Sequence, residues 1–301
     1  MKRGPETGGL ARFQYTQLHM GVPVRIVLYA APDQTTAEQA APAAFRRFAE
    51  LEQVMSDYRP TSELMRLCDR AGTGKPVAVS PDLWRVLERA KRVSRETEGA
   101  FDVTVGPFVA LWRRARKSGA LPTRAELGDA AVRVGWQKVH LNKRDRTVRL
   151  AVPGMRLDLG GIAKGDACDQ AQQVLKQNGV TRALIEAGGD IVVSGPPPGE
   201  RGWKIAVANA PDKTELTLAN AAISSSGDTE QFVTFAGRRY SHVVDPATGL
   251  GLSDRVAVTI SAPDGLTSDS LSTALCVLGR ERGNALVRRR YPVVRAWIRG
   301  G

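Results

Sequence analysis

The sequence predicts an α+β fold, with mixed sheets and helices packed against them in a single domain. Three observations point there. Apolar residues recur at helical spacing in some segments and alternate as in half-buried strands in others. The helical segments dominate the N-terminal half, whereas short apolar runs typical of strands crowd the chain after residue 180. The 301 residues include 42% hydrophobic and 25% charged side chains, an ordinary balance for a globular chain able to bury a substantial core.

Residues 1–18 are expected to form a flexible N-terminal segment, with the domain spanning 19–301. Residues 22–30 alternate as a strand, and residues 36–55 place Phe45, Phe48, Leu51 and Val54 at helical spacing. Ser80 before Pro81 reads as an N-cap with proline at the first helical position. That helix should run to about Glu98 and stop at Gly99. Thr123 with Glu126 forms a capping box. Residues 139–150 read as a hairpin around Asn142 to Asp145, and residues 163–177 as a helix closed by Gly179. Strands follow at 183–187, 191–193, 203–207, 232–235 and 256–260, before helix returns at 269–278. Residues 194–202 hold three consecutive prolines and read as a rigid surface loop, because strands continue on both sides.

Several function classes lose support. Cys68, Cys168 and Cys276 are odd in number and scattered, so they give no disulfide framework or zinc site and read as buried apolar packing. The net charge is +12, with basic runs at residues 113–117 and 288–290. No nucleic-acid motif accompanies them and aromatics are only 6%, so they read as a solvated basic surface that favours an anionic ligand or anionic membrane face. No apolar run of about 18 residues is present to span a membrane.

Two segments more than a hundred residues apart suggest chemistry on a diphosphate. Asp158-Leu-Gly-Gly-Ile-Ala-Lys164-Gly165 sets an acid, a flexible turn and a lysine before a helix. The N-terminal amides of that helix favour anions. Asp269-Ser-Leu-Ser-Thr273 puts a carboxylate and a hydroxyl on one helical face, able to hold a hard cation through oxygen. Mg²⁺ suits such a site, since it takes few carboxylates and completes its shell with phosphate oxygens. Asp269 read alone is equally a helix N-cap. His242, one of three histidines, stands at a strand end in Ser-His-Val-Val-Asp-Pro. Its imidazole can take a proton from an attacking hydroxyl or steady a leaving phosphate. Asp245 either orients it or begins the following turn.

Four further motifs join these in a fixed order. They are Phe101-Asp-Val-Thr-Val-Gly-Pro107, Ala187-Gly-Gly-Asp190, Ser225-Ser-Gly-Asp228, and Tyr240-Ser-His-Val-Val-Asp-Pro-Ala-Thr-Gly249. With the first two, they resemble the ApbE family of FAD:protein FMN transferases, from about His19-Met20-Gly21 to about Gly279. The resemblance implies a T-fold-like core and transfer of FMN from FAD to a Thr or Ser hydroxyl of an acceptor flavoprotein, with AMP released and Mg²⁺ required. It assigns the carbonyl of Gly161, Asp269 and Thr273 to the metal. His242, Lys164 and Asp269 take the catalytic roles, Lys164 also contacting the diphosphate or another part of FAD. Met20, Tyr58, Ala100, Phe101, Asp102, Asp158 and Val243 match positions that line the FAD site. Gly188, Gly189 and Ser226 shape the pocket. Thr229, where an aromatic is frequent, and Gly249-Leu-Gly-Leu, which lacks a usual proline, depart from the pattern and bear on substrate preference. The acceptor expected is a respiratory or electron-transfer subunit. Two alternatives stand beside transfer: FAD pyrophosphatase activity, and a protein that binds FAD without turnover. Residues 1–17 lack the apolar core of a signal peptide, which suggests either work in the cytoplasm or a leader missing from this sequence, since relatives of the family are often periplasmic or membrane-anchored.

Overall fold

The computed structural model describes residues 2–7, 9–32, 35–207, 210, 214–227, 232–235 and 237–300. The chain opens with β1 (Lys2–Thr7), β2 (Leu10–His19) and β3 (Val22–Ala30). A largely helical stretch follows: α1 (Thr35–Met55), α2 (Glu63–Cys68), the short β4 (Val77–Ala78), α3 (Pro81–Glu96), α4 (Gly106–Ser118) and α5 (Arg124–Ala131). The hairpin β5 (Val139–Asn142) and β6 (Thr147–Leu150) then leads to α6 (Ala163–Gln177). Strands dominate the remainder: β7 (Ala183–Ala187), β8 (Asp190–Val193), β9 (Trp203–Ala206), β10 (Glu215–Leu218) and β11 (Ala221–Gly227). After β12 (Phe232–Phe235), β13 (Arg238–Ser241) and β14 (Ala257–Ala262), the chain ends with α7 (Gly265–Arg290) and β15 (Arg295–Arg299).

Eight strands form one sheet in the order β1-β2-β3-β7-β8-β11-β14-β15. The chain therefore visits this sheet from edge to edge without doubling back, and everything between β3 and β7 is an excursion onto one face. Strand alternation separates two cores. Val24, Ile26 and Leu28 join the large cluster with Phe48 and Leu51 of α1, Ala167 and Ala171 of α6 and Leu271 and Leu275 of α7. Val27, Leu184, Val193 and Ile223 belong to a second cluster with Trp203 and Ile205 of the β9–β10 hairpin. A third, smaller cluster joins Phe108 and Trp112 of α4 to Val244, which follows β13.

The local signals behave as their chemistry requires. Ser80 Oγ accepts from Leu83 N–H at 3.2 Å with Pro81 in the first turn, and both halves of the Thr123–Glu126 capping box form. The loop from 194 to 202 connects β8 to β9 within the domain. All three cysteines are free and buried.

Two expectations need correction. The proposed domain start at residue 19 falls at the end of β2, which pairs with β3 along its whole length, and Ala11 and Phe13 are fully buried. Leu10 onward is therefore integral to the sheet. The last helix begins at Gly265, not Asp269, and its N-cap is Asp264, whose carboxylate accepts from Thr267 N–H at 2.7 Å. Asp269 is thus released from capping α7.

Candidate functional site

The site is built on an unusually close helix crossing. A Cβ at Gly165 in the first turn of α6 would lie 2.1 Å from the Gly265 carbonyl oxygen and 2.8 Å from Asp269 Cβ. A Cβ at Gly265 would in turn lie 2.4 Å from the Gly165 oxygen. Only paired glycines let the two backbones meet this way. Asp169, further along α6, accepts from Gly265 N–H and Leu266 N–H at 2.8 and 2.9 Å, tying down the start of α7.

The crossing concentrates charge. Gly165 N–H donates to Asp269 Oδ2 at 3.0 Å. Lys164 Nζ sits 2.7 Å from Asp190 Oδ2, at the start of β8, and 3.9 Å from Asp269 Oδ2. Both carboxylates are almost wholly buried. Burial, and then the nearby Asp190, push the Asp269 carboxyl up to about 7, with Lys164 and the Gly165 amide opposing the rise. Burial alone would lower the Lys164 ammonium, but Asp190 and Asp269 outweigh it and hold the lysine firmly protonated. Two buried acids around one ammonium carry a net negative charge, an arrangement that favours a further cation.

Oxygen donors for that cation gather one helical turn along. A Cβ on Gly161 would lie 2.7 Å from Thr273 Oγ1, so the glycine leaves a cradle beside that hydroxyl. Ser226 Oγ, on β11, lies 2.7 Å from Ser272 Oγ and 3.4 Å from Thr273 Oγ1. Among the described residues no cluster of three or more His, Cys, Asp or Glu could hold a metal. The donor set that the resemblance assigns, Asp269 carboxylate, Thr273 hydroxyl and Gly161 carbonyl, is hard and short of carboxylates. It fits Mg²⁺ sharing its shell with phosphate, and it does not fit zinc.

A second cluster adjoins Asp158. Its N–H donates to the Val103 carbonyl at 2.8 Å, which binds the Asp-Leu-Gly-Gly segment to the Phe101–Pro107 motif. A Cβ at Gly106 would meet the Arg156 oxygen at 2.6 Å, so the two motifs also pack backbone to backbone. Asp158 Oδ1 accepts from Gly160 N–H at 2.8 Å, and Oδ2 faces Arg113 Nη2 at 3.3 Å. Burial, then Asp57, raise the Asp158 carboxyl, while Gly160 N–H and Arg113 draw it down.

The other lining residues divide. Tyr58 is 75% exposed with the Arg113 guanidinium 4.1 Å from its ring centre. Met20, at φ 50°, and Ala100 are partly exposed. Phe101 and Val243 are buried in the large core. The Asp102 side chain is held within the fold: Oδ1 accepts from Thr104 N–H and Oγ1–H at 2.8 and 2.7 Å, and Oδ2 from Trp136 N–H at 2.8 Å. Its carboxylate braces two turns of the fold, leaving backbone as the part it can offer a ligand.

His242 is exposed and follows β13. Asp245 serves its own turn, accepting from Ala247 N–H and Thr248 Oγ1–H at 2.9 and 3.0 Å. The loop is anchored from below: Trp112 Nε1 donates to the Gly249 carbonyl at 2.8 Å, and a Cβ at Gly249 would strike Phe108 at 2.5 Å. Gly188 and Gly189 take the positive φ values of the turn before Asp190. Asp228 and Thr229 lie outside the described residues. Sequence reasoning missed Asp190 and Arg113. Asp190 closes the quoted Ala-Gly-Gly-Asp motif, and that position was a signal. Arg113 lies in a basic run that resembles solvated surface, and nothing local marks it.

A family model described as the ApbE family matches residues 20–298. The chain is 36% identical over 242 residues to a protein of Haemophilus influenzae named FAD:protein FMN transferase, covering 76% of this chain and 69% of that one. A Treponema pallidum protein of the same name is 32% identical over 311 residues, covering 96% and 85%. Among solved structures, the flavin transferase ApbE of Vibrio cholerae aligns with a TM-score of 0.84 at 29% identity, over 96% of this chain and 93% of that one. The apo flavinyl transferase ApbE of Pseudomonas stutzeri gives 0.85 at 28% identity, over 97% and 92%.

Proposed function

The chain belongs to the ApbE family, and on that premise we propose that it is a Mg²⁺-dependent transferase that moves FMN from FAD onto a Thr or Ser hydroxyl of an acceptor protein. The observation that carries this reading is the buried Lys164–Asp190–Asp269 cluster set against the oxygen cradle of Gly161 and Thr273. A diphosphate needs both parts: a fixed cation against its oxygens, and hard oxygen ligands for the ion that shares them. Mg²⁺ bound there would neutralise charge developing on the phosphoryl oxygens.

In the reaction, the acceptor hydroxyl oxygen forms a bond to the flavin-side phosphorus. The bond from that phosphorus to the AMP oxygen breaks, and AMP leaves with the electron pair. His242 takes the hydroxyl proton, a role open to an exposed imidazole at a strand end. Lys164 stays protonated and steadies the phosphate oxygens. Asp158 orients the nucleotide as an acceptor, and Tyr58 offers its ring to a flat heterocycle. The acceptor fitting this chemistry is a flavoprotein of an electron-transfer system, because a phosphoester tether makes its FMN permanent.

The test supplies purified protein with FAD, Mg²⁺ and a Thr-containing acceptor. AMP should appear, and mass spectrometry should find one FMN on a hydroxyl side chain. EDTA should abolish transfer, and FMN in place of FAD should not support it. Free FMN with an unmodified acceptor would show a pyrophosphatase instead. Intact FAD after long incubation with a competent acceptor would leave a binding protein only.

A further inference from the structure

Arg113, one residue of an ordinary-looking basic run on α4, touches three groups from two distant segments. Its Nη1 lies 2.5 Å from Asp57 Oδ2, its Nη2 lies 3.3 Å from Asp158 Oδ2, and its guanidinium carbon lies 4.1 Å from the centre of the Tyr58 ring. The neighbouring Arg114 differs: among the described residues its ion pair is with Glu126, on the surface. Asp57 and Asp158 both carry partly buried carboxylates, and Asp57 raises the cost of charging Asp158. A planar fork with donors on both edges can answer two carboxylates while its face lies on a ring, which an ammonium cannot.

We infer that Arg113 is a positioning residue of the FAD site. It holds the Asp158 carboxylate oriented toward the nucleotide and fixes the exposed Tyr58 ring as a stacking platform. The inference rests on the proposed flavin transfer. Three features support it. Asp158 Oδ1 and Oδ2 each have one protein partner, Gly160 N–H and Arg113, and each carboxylate oxygen has a second lone pair for a ligand. Tyr58 presents one face to the guanidinium and, at 75% exposure, the other to whatever binds above it. An exposed tyrosine in a connecting loop would otherwise sample several rotamers, and the cation–π contact removes that freedom before a ligand arrives.

The experiment measures the FAD dissociation constant by flavin fluorescence in the presence of Mg²⁺, alongside AMP release at saturating FAD. Arg113→Ala should weaken FAD binding by roughly ten- to a hundredfold while turnover at saturation changes by less than about threefold. Arg113→Lys should fall between, since one ammonium can serve only one of the carboxylates. Adding Asp57→Asn to Arg113→Ala should recover part of the affinity, because the stranded repulsion on Asp158 is relieved. Arg114→Ala should bind as the parent does. Thermal melting of each variant identifies any that fail to fold, and Arg113→Lys then decides the matter. Parental affinity in folded Arg113→Ala or Arg113→Lys overturns the inference, as does lost turnover at unchanged affinity. A parent protein that binds no FAD overturns the flavin-transfer reading itself, a result separable from the others because it needs no variant.

Discussion

Gly165→Ala tests whether the helix crossing builds the site. The added methyl would start 2.1 Å from the Gly265 oxygen and 2.8 Å from Asp269 Cβ. A carbon settles against a carbonyl oxygen at roughly 3.3 Å, so α6 and α7 must part by about 1 Å. The obstacle is backbone, which cannot swing aside as a side chain can. Overpacking of this kind costs about 1–3 kcal/mol. For a chain of this size that lowers the melting temperature by roughly 2–5 °C. The larger effect is on chemistry: separation stretches the Gly165–Asp269 hydrogen bond and moves Asp269 relative to Lys164, and a displacement near 1 Å can cost about a hundredfold in rate. Melting by circular dichroism and AMP release with excess Mg²⁺ measure the two effects, and Gly265→Ala should repeat the pattern from the other side. A Gly165→Ala protein that melts within a degree of the parent and releases AMP at the parental rate would refute the close-crossing account.

Other expectations follow from the same geometry. Lys164→Met strands two buried carboxylates and should destabilise by roughly 3–5 kcal/mol in urea unfolding, with Asp190→Asn restoring part of the loss. Because burial holds the Asp269 carboxyl near 7, cation binding must displace a proton at lower pH. Calorimetric Mg²⁺ affinity should therefore fall by about tenfold per pH unit below 7 and level off above it. Asp269→Asn keeps an acceptor for Gly165 N–H, so it should fold normally yet lose turnover at limiting Mg²⁺; normal turnover there would remove Asp269 from the site. His242→Ala should bind FAD and lose roughly 10²–10⁴-fold in turnover, whereas lost affinity with unchanged turnover would make it a binding residue.

How much was legible in the chain depended on the range of the interaction. Caps, glycine stops and alternation act over a few residues, so Ser80–Pro81, the Thr123–Glu126 box and β3 could be read directly. The start of α7 was misplaced because Asp269 has the chemistry of a cap, while the residue that caps, Asp264, stands five positions earlier after a proline. The order of residues 10–18, within the segment 1–18 that local signals leave without structure, comes from pairing with β3, and a sequence does not display its pairing partner. Of the proposed metal ligands, Asp269 and Thr273 could be suggested by spacing, whereas the Gly161 carbonyl came only with the family resemblance. Spacing placed Asp269 and Thr273 on one face, but the glycine contacts that bring Gly161 and Gly165 against that face join segments about a hundred residues apart. Asp102 carries a fold contact that its motif does not display: its carboxylate accepts from Thr104 and from Trp136, the latter 34 residues away.

The seam between β11 and α7 is polar where a core seam is usually greasy. Ser224 meets Ser268, and Ser226 meets Ser272, each at 2.7 Å, while Ser225 reaches Thr259 of β14 at 2.9 Å. An apolar interface of similar area would let a helix roll or slide slightly at little cost, since one methyl packs much like another. Hydroxyl pairs are directional, and a turn of the helix by one residue would break both contacts to α7 together and leave buried oxygens without partners. The rotation of α7 is thereby keyed to the strand as a cog is to a rack. Asp269 and Thr273, on the stretch of the helix before its break at Gly279, take their bearing from this row of hydroxyls.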